Sequence, residues 1–123
     1  MSGISIVADT NVLIYLSEGK SKSNFYLEGN LVYVSVISEM KLLGHHKLSP
    51  KEISFYEKLL GECTIIELLR PIKEEAIRLR QSMQIKLPDA VIAATSLYLN
   101  APLVTYDKGF SRIKNLDVII PEL

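Results

Sequence analysis

Short apolar runs alternate with stretches of helical period along this chain, and the alternation begins at the N-terminus. Ile4 to Ala8 is apolar and β-branched, as a strand buried on both faces would be, and it gives way to the polar Asp9-Thr10-Asn11 and a helix-compatible run from Val12 to Leu16. Ser17 to Asn30 is polar and glycine-containing around Phe25-Tyr26-Leu27, which reads as a loop with a short helix. Val32 to Ser35 makes a second strand, and Ile37 to Leu43 a helix that Gly44 is placed to end. Ser49-Pro50-Lys51-Glu52 combines an N-cap serine, a proline at the first helical position and the glutamate of a capping box, so a helix starts there with Ile53, Tyr56 and Leu60 as its core stripe. Cys63 to Leu68 reads as a third strand. Pro71 opens an amphipathic helix on which Ile72, Ala76, Leu79 and Met83 recur at helical spacing and Glu74 pairs with Arg78. Pro88-Asp89 begins the most apolar helix, Ala90 to Leu99, which must be covered on more than one side, by the sheet and a neighbouring helix or by a partner subunit. Leu103 to Thr105 is a fourth strand, Phe110 to Ile113 a short helix, and Val118 to Ile120 a last strand.

Strands alternating with helices in this way predict an α/β fold, a central parallel sheet of four to five strands with helices on both faces, in which ligands bind beyond the carboxyl ends of the strands. The 123 residues show no repeat and no linker, and fit one domain spanning 1–123. A hydrophobic fraction of 48% against 23% charged excludes a disordered chain. The longest uncharged stretch, Ala90 to Tyr106, is broken by Thr95, Ser96, Asn100 and Pro102, so no membrane span is expected. Asp9 interrupts the first apolar run and no basic segment precedes it, which points to a cytoplasmic protein. Cys63 is the only cysteine, which excludes an internal disulfide and a cysteine-rich zinc site. Fourteen basic residues balance fourteen acidic ones, so any grip on a polyanion must come from local charge.

Four aspartates stand against ten glutamates, so glutamate carries the routine solvated charge and each aspartate is informative. Asp9 follows the first strand, Asp107 follows the fourth, and Asp89 lies in the first turn of a helix entering between them; all three are expected at one sheet edge. Glu39, one turn into the helix after the second strand, reaches toward the same crevice. Carboxylates gathered there would raise one another's pKa unless a cation neutralised them, and oxygen ligands without cysteine or paired histidine favour Mg2+ or Mn2+ over zinc. Phosphodiester hydrolysis is the natural reaction for such an ion. Thr10, Asn11 and Thr105 add neutral groups able to orient a carboxylate or a water.

Four segments together, Val7-Ala8-Asp9-Thr10-Asn11-Val12-Leu13-Ile14, Val36-Ile37-Ser38-Glu39, Leu87-Pro88-Asp89-Ala90-Val91-Ile92-Ala93-Ala94 and Thr105-Tyr106-Asp107, resemble the PIN-domain family in order and spacing over nearly the whole chain. More closely, the chain is similar to the VapC group, the toxins of prokaryotic type II toxin-antitoxin pairs. The resemblance implies a three-layer α/β/α PIN-like domain and a magnesium-dependent endoribonuclease with Asp9, Glu39, Asp89 and Asp107 as its acidic site. It also implies an RNA substrate, a homodimer and a cognate antitoxin. The sequence departs from many relatives at Gly109, where a further acidic or amide residue is often found, which leaves open whether one ion or two are held.

Plainer readings stand beside these. An aspartate after a strand is often only a helix cap, a helical glutamate such as Glu39 is by default solvated, and Asn11 and Thr105 could be a turn residue and an ordinary strand residue. His45 and His46 lie about 100° apart on a helix end and suit the helix dipole better than one shared metal. Lys86, Lys108, Arg112 and Lys114 flank the aspartates as a candidate phosphate rim for RNA, with Lys20 and Lys22 further off, or as a solvated charged face. Three other functions remain open: an inactive or regulatory PIN-like module binding a protein through Ala90 to Leu99, a PIN nuclease in RNA processing without an antitoxin, and a phosphoaspartate domain using Asp9. Asn11 weakens the last, because it occupies the place of a phosphatase's second aspartate.

Overall fold

The computed structural model describes residues 4–19 and 29–122. Most of the loop expected between Ser17 and Asn30, with Lys20 and Lys22, lies outside the described residues. The order of elements is β1 (Ser5–Ala8), α1 (Thr10–Ser17), β2 (Leu31–Ser35), α2 (Val36–Leu43), α3 (Pro50–Gly61), β3 (Thr64–Ile66), α4 (Arg70–Ser82), α5 (Leu87–Leu99), β4 (Leu103–Val104), a 3-10 helix (Lys108–Arg112) and β5 (Val118–Ile119).

All five strands run parallel in the order β3-β2-β1-β4-β5, with Val7 of β1 opposite Tyr33 of β2 on one side and Leu103 of β4 on the other. The sheet grows from β1 through β2 to β3, then crosses back to add β4 and β5 at the opposite edge. The order therefore reverses between β1 and β4, and a crevice opens at the carboxyl ends of those two strands.

Alternation along the strands divides the core in two. Val7, Leu103 and the half-buried Tyr33 and Ile66 face one way, onto Ile72, Ala76 and Leu79 of α4 and Ala90 to Ala94 of α5. Ile6, Ala8, Val32, Val34 and Val104 face the other way, onto Val12 and Leu13 of α1, Leu42 of α2, and Tyr56 and Leu60 of α3. The result is the expected three-layer α/β/α architecture. Ala90 to Ser96 are all buried within the chain itself, so the sheet and α4 cover this helix and no partner is needed to do so. Only Tyr98 of its last turn is openly exposed.

Local chemistry sets the boundaries. The Ser49 hydroxyl accepts from the Glu52 amide at 3.1 Å while the Glu52 carboxylate accepts from the Ser49 amide at 3.0 Å, the reciprocal pair expected at the start of α3. Ser49→Ala should cost about 1 kcal/mol, read as a lower denaturation midpoint at unchanged slope. The third strand is shorter than expected, ending at Ile66, because Leu68 and Leu69 turn outward and Leu69 becomes the N-cap position of α4. The expected Glu74–Arg78 pair is replaced by two others: Arg70 reaches Glu74 at 3.3 Å, and Arg78 takes Glu75 at 3.0 Å. Both pairs are exposed and contribute little to stability.

Candidate metal centre

Each candidate carboxylate begins a helix. Asp9 is the N-cap of α1, Asp107 the N-cap of the 3-10 helix, Asp89 lies in the first turn of α5, and Glu39 in the first turn of α2. The amino ends of these helices favour negative charge there, which offsets part of the repulsion among the acids.

Asp9 is the anchor. It is 5% exposed, its own amide still donates to Val104 of β4 at 2.9 Å, and its carboxylate accepts from the Thr10 amide at 2.7 Å and from the Thr105 hydroxyl at 2.6 Å. The fully buried Thr105 then accepts from the Asp107 amide at 3.0 Å, so a single hydroxyl joins the residues that follow β1 and β4. Burial pushes the Asp9 pKa above its ordinary 3.8, with the nearby Asp89 charge adding to the rise; the two hydrogen bonds and Lys41 oppose it. Asn11 accepts from the Tyr106 amide at 3.3 Å, pinning the same β4 exit to α1.

Asp89 and Asp107 line one open groove of about 680 Å3 together with Gln84, Ile85, Arg80, Lys86 and Arg112. A smaller hollow of about 100 Å3 continues from it between Asp89, Asp107 and Gly109. Asp107 accepts from the Gly109 amide at 2.8 Å, and a Cβ on residue 109 would stand 3.0 Å from that same carboxylate oxygen, so glycine leaves Asp107 room to fold onto its own turn. Glu39 is half-buried on α2, and its neighbour Ser38 ties that helix to the start of α1 through a 2.8 Å hydroxyl pair with Thr10. Among the described residues no hydrogen bond links the Glu39 carboxylate to the Asp9 network.

The structure thus links Asp9, Thr105 and Asp107 directly, sets Asp89 within electrostatic reach of Asp9 and across the groove from Asp107, and leaves Glu39 at the side. Among the described residues no three acidic, histidine or cysteine side chains stand close enough to cage an ion. The expected convergence of four carboxylates into one tight pocket is therefore looser in the structure. An all-oxygen donor set of this kind, without cysteine or histidine, suits a hard divalent cation better than zinc.

Of the basic candidates, Lys86 and Arg112 line the groove; Lys108 does not, and Lys114 lines a separate hollow with Glu75 and Leu79. Arg80 joins them without having been singled out in the sequence, where it is one of several charged residues on the polar face of α4. Nothing in the local sequence sets it apart there; it lines the groove only because of how the fold places α4. His45 and His46 stack at 5.2 Å beyond α2, away from this groove.

The sequence profile of the PIN domain matches residues 6–116. The chain belongs to the PIN-domain family. Solved structures similar to this PIN domain include a toxin-antitoxin complex from Klebsiella pneumoniae, at 30% identity and TM-score 0.79 over 95% of this chain and 98% of that one. VapBC2 from Rickettsia felis bound to a promoter DNA fragment shares the fold at 23% identity, TM-score 0.79 and coverage of 94% and 97%. VapBC-1 from nontypeable Haemophilus influenzae does so at 24% identity, TM-score 0.77 and coverage of 95% and 97%. No curated protein matches in sequence. Among the described residues no helix is long and apolar enough to cross a membrane.

Proposed function

We propose that this PIN domain is a Mg2+- or Mn2+-dependent endoribonuclease, the toxin of a type II toxin-antitoxin pair, acting in the cytoplasm as a homodimer restrained by a cognate antitoxin. The observation that carries the nuclease reading is the buried Asp9 carboxylate tied through Thr105 to Asp107 at the β1/β4 switch point, with Asp89 facing the same groove. The toxin reading is supported by 30% identity to a chain of the Klebsiella toxin-antitoxin complex over almost the full length of both. Nuclease activity with divalent metals is general to PIN domains.

Asp9, Asp89 and Asp107 would hold the ion, with Glu39 completing the set from α2. A bound Mg2+ or Mn2+ supplies charge to the scissile phosphoryl oxygens and eases ionisation of the attacking water. Thr105 keeps the Asp9 carboxylate aimed and favours its ionised form against the effect of burial, and Asn11 holds the backbone that presents Asp107. Glu39, half-buried on α2, would accept the proton of the attacking water at its carboxylate. Arg80 and Lys86 concentrate positive charge along the groove in a protein of zero net charge, which gives a phosphodiester chain a local track to follow.

Purified protein incubated with total RNA should cleave only when Mg2+ or Mn2+ is present, and the product of the adjacent reading frame should suppress cleavage; cleavage without metal would remove the metal-site reading, and no cleavage with metal would remove the nuclease reading. With the Asp9→Asn form on single-stranded RNA, Arg80→Ala or Lys86→Ala should each flatten the slope of log affinity against log salt by about 0.7. Unchanged slopes would place the RNA elsewhere. A regulatory, non-catalytic PIN module is the second reading, suggested by the open spacing of the carboxylates. Such a module would gain no heat resistance from Mg2+, whereas the nuclease would.

A further inference from the structure

We propose that Arg112 is a positioning residue, a clamp that holds the turn carrying Asp107 at a fixed spacing from the loop that leads to Asp89. This rests on the metal-site reading given above and assigns Arg112 a role other than gripping RNA.

Two bonds define the clamp. Arg112 Nε donates to the Gly109 carbonyl at 3.1 Å, within the 3-10 helix that Asp107 caps, and Arg112 Nη2 donates to the Gln84 carbonyl at 3.1 Å, in the loop between α4 and α5. Gly109 in turn donates its amide to the Asp107 carboxylate at 2.8 Å. A continuous run of hydrogen bonds therefore leads from Asp107 Oδ1 through Gly109 and Arg112 to Gln84, five residues before Asp89. The clamp spans segments 28 residues apart, and the groove lies between them.

The backbone around Arg112 is fixed independently, because its neighbours Phe110 and Ile113 are buried and pack in the same cluster as Met83 and Ile85 of the facing loop. That packing brings the two segments together but leaves their tilt to slide on apolar surface. A planar guanidinium with donors in fixed directions removes the slide, which a single ammonium on a flexible stem would not. Arg112 forms no ion pair with Asp89 or Asp107 among the described residues. It spends its donors on carbonyl oxygens, so both carboxylates stay free for a cation.

The test compares the parent with Arg112→Ala and Arg112→Lys, using Mn2+ alone as the probe in the absence of RNA, together with amide hydrogen exchange of the metal-free proteins. The clamp requires that both variants lose about tenfold or more in Mn2+ affinity. It also requires that the Gly109 and Asp107 amides exchange faster in both before any metal is added. If Arg112→Lys binds Mn2+ within twofold of the parent, the role is one of charge and the clamp is wrong. Unchanged Mn2+ affinity in Arg112→Ala, with or without faster exchange, overturns it as well. A parent protein that binds no Mn2+ defeats the metal-site reading instead, and the exchange rates at Gly109 then decide the clamp separately.

Discussion

Asparagine at position 9 is expected to leave a folded protein that no longer cleaves RNA with magnesium or manganese, and that melts higher than the parent when both are metal-free at neutral pH. The two effects share one cause. Asp9 is almost completely enclosed, and burial raises its pKa above the ordinary 3.8 despite the bonds from Thr10 and Thr105. A raised value in the folded state means that ionising Asp9 opposes folding. That penalty is absent below the unfolded pKa, grows as pH climbs toward the raised folded value, and is complete above it. Asparagine never ionises, its oxygen can still accept from the Thr10 amide, and its amide can donate to the Thr105 hydroxyl in place of the bond that hydroxyl donates to Asp9. The gap in melting temperature between variant and parent should therefore open as pH rises from below 4 to 7, and close when Mg2+ stabilises only the parent. Activity should fall by more than the roughly 10–100-fold that losing a ligand's supporting partner costs, since here a ligand itself loses its charge. Melting curves at acid and neutral pH, with cleavage assays at saturating metal, measure both. A gap independent of pH, or cleavage that survives, would show that Asp9 is a helix cap and nothing more.

The layers of this fold could be read from the chain because the strands obey a period of two and the helices a period near 3.6. Ile6 and Ala8 fall on one face and Val7 on the other, and each face meets its own helices. What periodicity does not encode is which strands become neighbours. That β1 sits between β2 and β4 depends on the crossover after β3, and this crossover is what brings Asp9 beside Thr105, 96 residues away. Asp9 and Asp107 were legible because each ends a strand, and a parallel sheet sends all such ends to one side. Arg80 was not, because nothing local separates it from any other arginine on a solvated helix face; only the approach of α4 to the 3-10 helix gives it a groove to line. Ser38 was legible only as part of the segment around Glu39, and its bond to Thr10 was not, since that bond depends on how α1 and α2 pack. The pairing along α4 failed for a smaller reason: several acids lay within reach of each arginine, and spacing alone does not choose among them.

Thr105→Val should be the most damaging change outside the carboxylates. Valine nearly matches threonine in shape, so the packing of a fully buried side chain survives while both of its polar contacts vanish. Asp9 loses the hydroxyl donor at 2.6 Å, and the Asp107 amide loses its acceptor at 3.0 Å. Leaving buried polar groups without partners costs about 1–3 kcal/mol, most of it once Asp9 is ionised. The Thr105 bond also holds the Asp9 pKa down, so its removal lets burial push that pKa higher. A reaction that needs ionised Asp9 should then lose rate at a higher pH than in the parent, shifting the acid limb of the pH–rate profile upward. Metal affinity should weaken by about 10–100-fold, since the hydroxyl orients one carboxylate and anchors the backbone of another. Thr105→Ser keeps the hydroxyl and should restore the acid limb even if the lost methyl lowers stability. If valine leaves both the acid limb and the Mn2+ affinity where the parent has them, then Thr105 only fills space, and Asp9 and Asp107 do not work as a joined pair.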